Sequence, residues 1–136
     1  MAYEENLKSL SHNADASVGI YTGVPGTPGA AVPNSGKQYC ALKLTGANQV
    51  GLAVAAADKL YGILQNKPQA PGHACTVGVS GISFARAGAA FAAGVEVIPD
   101  ATGRFVAGAS TGTGLKFISV LPASVADEVT SVRIVG

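Results

Sequence analysis

The chain is 136 residues long, one domain's worth, and only 12% of it is charged, against the roughly 25% of an average protein. A net charge of +1 argues against nucleic-acid binding, which needs a basic stripe to displace counterions, and no apolar run reaches the length of a membrane-spanning helix. Hydrophobic residues make up 48%, aromatics only 6% with no Trp, so the apolar content is aliphatic and the chain reads as a weakly charged soluble domain.

The opening MAYEENLKSL lacks the apolar core of a signal peptide and points to synthesis in a cytoplasm. Tyr3, Leu7 and Leu10 stand at i, i+4 and i+7, the spacing of one short helical face, with Glu4 and Glu5 placed early where a helix dipole favours them. A helix this short needs a surface to dock on. Residues 18–22, with Val18, Ile20 and Tyr21, suit a short strand. They lead into the clearest change of composition in the chain, GVPGTPGAAVPNSG at 23–36. Pro25, Pro28 and Pro33 each fix φ and remove a donor, which excludes both helix and central strand there. Residues 1–36 therefore read as an extended N-terminal arm and residues 37–136 as a β-rich body.

In the body, residues 37–45 alternate imperfectly, and Val50, Leu52 and Val54 alternate with Gly51 and Ala53. Strand, turn, strand is the reading through residue 64, followed by the loop NKPQAPG at 66–72. Residues 74–84 form the most informative strand. Cys75, Val77 and Val79 share one face, and after Gly81 the apolar set passes to Ile82 and Phe84, the mark of a bulge or sharp bend. Residues 95–98 and 104–107 flank a turn in which Asp100 and Gly103 suit a type I geometry closed by a left-handed Gly. Residues 115–121 are apolar on both faces and read as central. Ser124 and Asp127 suggest a capped helical turn before a last strand carrying Val132 and Ile134. Many short strands with turns every 8–12 residues indicate a mainly β fold, a small barrel or sandwich.

The chemistry-bearing residues form no strong motif. His73, Cys75, His12 and Cys40 make up a Cys2His2 inventory, but zinc sites take ligands in tight pairs and only one loose pair exists. Buried, inert cysteines are the better reading, with no metal and no cofactor. The Gly-rich run GASTGTG at 108–114 lacks the Lys that follows the second Gly of a phosphate loop, because Leu115 separates Gly114 from Lys116. It reads as a turn between strands. Asp58, Glu96, Asp100, Asp127 and Glu128 fall near turns or strand ends, as solvated residues do. The chain reads as a non-enzyme. A body so poor in charge must show Ala, Gly, Ser and Thr over much of its surface, and cover by other chains is the economical explanation.

Four stretches carry a resemblance: AADKLYGILQNKP (56–68), ACTVGVSGIS (74–83), AGAAFAAGVEVIPDATGRFVA (87–107) and VTSVRIV (129–135). In Gly62-Ile63-Leu64 with Pro68, Val77 to Gly81, Gly88 with Gly94 and Val97, and Asp100 with Gly103 and Arg104, the chain resembles the capsid decoration, or cement, proteins of tailed bacteriophages. Phe91 departs from the family, which has a β-branched aliphatic there. The resemblance implies a structural protein of the virion, made in the host cytoplasm, that binds the outer surface of the head. It would clamp neighbouring major-capsid subunits against internal DNA pressure. The partners implied are the major capsid protein and further copies of itself, as a homotrimer, with no nucleic acid and no membrane. Tyr3, Leu7, Leu10, Val18, Ile20 and Tyr21 are the expected contacts to the capsid and between subunits. The rival reading is a β-sandwich glycan-binding module displayed for adhesion, against which the absence of Trp weighs.

Overall fold

Strands carry all the regular secondary structure among the residues that the computed structural model describes: 2, 5–15, 17–18, 37–66, 68 and 72–136, with the backbone alone at Glu5 and Asn6. They are β1 (Glu5–Ala14), β2 (Ala41–Gly46), β3 (Gln49–Leu52), β4 (Gly62–Leu64), β5 (Ala74–Arg86), β6 (Glu96–Pro99), β7 (Phe105–Ala107), β8 (Lys116–Ser119) and β9 (Val129–Val135). The mainly β expectation holds.

The local chemistry explains most of the turns. Asn48 takes the left-handed conformation (φ 53°) that closes the β2–β3 hairpin, a conformation Asn adopts more readily than most residues. Between β6 and β7, Asp100 Oδ1 accepts from Thr102 N–H, the Thr102 hydroxyl and Arg104 N–H at 2.8, 2.7 and 3.1 Å, and Gly103 N–H donates to Asp100 O at 3.0 Å. That is the turn expected from Asp100 and Gly103.

The strand order is β1-β3-β2-β4-β5-β9-β8-β6-β7, with a further pairing of β1 to β5. The pairings β1-β3-β2-β4-β5 thus return to β1 and close a circuit, as in a small barrel. On the other side, β5-β9-β8-β6-β7 returns to the end of β5 through a parallel bridge, Ala87 to Phe105, where Gly88 N–H donates to Phe105 O at 2.7 Å. Two circuits share the long strand β5. Among the described residues, all strand pairings are antiparallel except β1 with β3.

Each circuit has its own core. Ala14, Val18, Cys40, Leu42, Val50, Leu52, Leu64, Cys75 and Val77 form the smaller one. The larger one is built around Val97, Phe105, Phe117, Val132 and Ile134, with Phe105 and Phe117 packed edge to face at 5.2 Å. The start of β2 and all of β4 are buried on both faces: Leu42 and Leu64 belong to the smaller core, Ala41 and Ile63 to the larger. Together they form the wall between the two.

Three expectations need correction. Residues 5–14 form strand β1 and not a helical turn, because β5 and β3 supply main-chain partners that a lone short helix lacks. Gly81 (φ 98°) does mark where β5 changes neighbours, from β4 to β9, but the buried face does not switch there. Ser83 and Ala85 stay buried while Ile82 and Phe84 are half-exposed. The β5–β9 register begins at Gly81 and runs unbroken to Arg86, and buried side chains keep to odd-numbered positions on both sides of it. The register shifts fall instead on the β1 side, around Lys8. Finally, residues 124–128 make turns rather than a helical turn. Asp127 is left-handed (φ 67°), which no α-helix admits, and the Glu128 carboxylate accepts from Ser124 N–H at 3.2 and 3.3 Å.

Candidate interaction surface

Tyr3, Ile20 and Tyr21 lie outside the described residues. Of the other expected contacts, Val18 is fully buried in the smaller core and Leu7 packs against the larger one. Leu10 remains 49% exposed. Strand geometry explains the separation. An extended β1 breaks up the helical face on which residues three apart would sit together, and its register with β5 shifts around Lys8, which lies between Leu7 and Leu10.

Leu10 belongs to a set that the sequence did not single out. Leu44, Val54, Val125 and Val135 are also large, apolar and exposed. Beside Leu44, a shallow cavity of about 100 Å³ is lined by Leu44, Lys59, Leu60 and Tyr61. Tyr61 is fixed from behind: its hydroxyl lies 2.7 Å from His12 Nε2, and His12 Nδ1 lies 2.7 Å from Asn48 Oδ1. Because Asn48 Oδ1 only accepts, Nδ1 carries the hydrogen, and in the neutral ring Nε2 accepts from Tyr61. The two rings meet edge-on at 5.1 Å. This chain ties β1, the β2–β3 hairpin and the approach to β4 into one rim. A rim with an anchored Tyr, a Lys and the exposed Leu44 side chain suits an apolar side chain of a partner. The signal for Leu44 was present in the alternation Leu42-Lys43-Leu44, which runs past the end of the core; nothing local marks Tyr61 or His12.

The Cys/His inventory is dispersed. His12 and Cys75 lie directly opposite each other on β1 and β5, and Cys40 shares the smaller core with Cys75. No group of three or more His, Cys, Asp or Glu among the described residues is placed to hold a metal. Burial pushes both the Cys40 and Cys75 thiols up to about 11, so they stay protonated and are poor nucleophiles near neutral pH.

The loop at 108–114 has a packing role. Thr111 and Gly112 donate to Ala56 O at 2.9 and 3.3 Å, and Leu115 N–H donates to Leu60 O at 2.8 Å. A Cβ on Gly112 would collide with Asp58 O, and one on Gly114 with Leu60 O and N. The glycines let one backbone lie against another. Asp58 anchors the segment beneath. Partial desolvation pushes its carboxyl up, but hydrogen bonds from Val54 N–H (2.8 Å), Lys43 Nζ (3.2 Å) and Ala55 N–H (3.2 Å) together hold it below its ordinary value.

Charge is concentrated at one corner, where Arg104 bonds Asp127 Oδ1 at 2.9 Å and lies 3.7 Å from Asp100, while Arg86 donates to Asp127 O at 3.2 Å. No protein-family model and no curated protein matches the chain.

Proposed function

We propose that this protein is a structural decoration protein of a tailed-phage head, clamping adjacent major-capsid subunits on the outer surface and clustering as a trimer at local three-fold positions. The observation that carries the reading is the surface itself: only 12% of residues are charged, and Leu10, Leu44, Val54, Val125 and Val135 are exposed on a β framework. A clamp needs area and repetition rather than reactive groups, and many copies bridging fixed subunits gain strength through effective concentration. The resemblance of residues 56–135 to cement proteins points the same way.

The test is cosedimentation with expanded, undecorated heads assembled from the major capsid protein encoded in the same genome. Saturable binding that raises the temperature of head disruption supports the proposal. Absence of binding at micromolar protein overturns it. Leu44→Asp should weaken binding about tenfold or more while leaving the thermal melt of the free protein within a few degrees of wild type.

A further inference from the structure

We propose that β1 is an exchangeable strand, and that the site it fills, the edge of β5 from residue 74 to 82 together with the start of β3, accepts β1 of a second copy of this chain.

The fit of that site for a β1 strand is shown by the chain's own. Seven residues of β1 pair with β5, from Glu5 opposite Ile82 to Asn13 opposite Ala74, and Asn13 and Ala14 also pair with Gln49 and Val50 of β3. β1 is held mostly through its main chain. Lys8, Ser9, Leu10, Ser11 and Asn13 are exposed, while Ala14 and the following Val18 are fully buried. Main-chain pairing confers affinity without depending on which molecule supplies the strand.

Topology makes the exchange possible. β1 is the first strand among the described residues and joins the others through a single connection, so it separates from them without threading. Between Val18 and Lys37 lie the eighteen residues 19–36. By covalent geometry alone eighteen residues span up to about 60 Å, enough to reach a neighbouring domain. An exchanged pair keeps every contact of β1 and differs from the closed chain only in the connection, the condition under which strand swapping costs little. A tether of this length sets an effective concentration in the millimolar range. Exchange is therefore rare in dilute solution and favoured where copies are crowded together. The inference does not depend on the capsid reading.

Ser11 and Thr76 are opposite each other and both exposed, so a disulfide between them reports which β1 lies on which β5. Two full-length variants are made in a Cys75→Ala background, one with Ser11→Cys and the other with Thr76→Cys. They are refolded together from denaturant at a series of concentrations and then oxidised. A third chain carries both substitutions. The expected result is a cross-linked dimer, joined at positions 11 and 76 by peptide mapping, that forms a large fraction at millimolar chain and falls roughly tenfold on tenfold dilution. If the single variants stay monomeric at millimolar concentration while the double variant closes within one chain, the exchange is overturned. A double variant that resists oxidation would reject the pairing itself, and the proposal with it.

Discussion

The two circuits that share β5 are built on different principles. The larger core uses aromatic bulk: Phe105 and Phe117 are fully buried and in contact, and its strands β6, β7 and β8 are three to four residues long. The smaller core is aliphatic, with two cysteines. It is closed by a ten-residue strand of mostly polar sequence in which Lys8, Ser9, Leu10, Ser11 and Asn13 are exposed. In the first, side-chain packing lets short strands suffice. In the second, main-chain pairing compensates for a strand with little to bury. The difference shows that closing a β circuit does not require each strand to carry its own hydrophobic pattern.

Removing β1 is the most drastic way to break that comparison. A chain lacking residues 1–17 should lose the cooperative melt of the smaller core, because Cys75 and Val77 lose their cover and β5 loses seven paired partners. Cys75 should then react with a thiol reagent at neutral pH within minutes. A truncated protein with wild-type melting and an unreactive Cys75 would show that β1 contributes nothing to closure.

Phe117→Ala attacks the other side. Deleting a fully buried aromatic ring should cost about 3–5 kcal/mol, read as a lower midpoint in urea unfolding. Gly114→Ala strikes the seam between the circuits, where the 108–114 loop rests on residues 56–60. The added Cβ meets backbone that cannot rotate away, and a loss of about 1–3 kcal/mol is expected by calorimetry. A neutral result would mean that the loop lifts off without cost.

Cys40→Ala should have the smallest effect, roughly 1 kcal/mol at neutral pH, as a small cavity does. Its pH dependence sharpens the contrast. The folded thiol titrates near 11 and the unfolded one near 9, so the contribution is complete below pH 9 and declines as the pH rises from about 9 to 11. Denaturation midpoints of wild type and variant should converge and then cross within that interval; parallel curves would place Cys40 in contact with solvent.

The legible parts of this fold were those where a strand's own residues settle its state. β5 was visible because Cys75, Val77 and Val79 alternate, and the turn at 100–103 because Asp100 and Gly103 each have a geometric role. β1 was hidden because its sequence, ENLKSLSHNA, has helical apolar spacing and takes its conformation from β5. The same cause hid the rim. Tyr61 and His12 are 49 residues apart and meet only because β1 closes the circuit. Leu44 and Val54 look like core residues in the sequence; Leu44 is exposed because β2 extends beyond the packed interior, and Val54 because it falls in the connection after β3.

The sharing of β5 also bears on mechanical load. Thirteen residues of extended chain measure about 43 Å, and this one segment passes through both halves of the protein. A force that draws the halves apart along its axis acts on covalent main chain rather than on a surface between two packed bodies. The hydrogen bonds to β1, β4 and β9 are then sheared together instead of being peeled one after another. The protein should therefore yield at high force along β5 and at much lower force when β1 is pulled sideways from its edge.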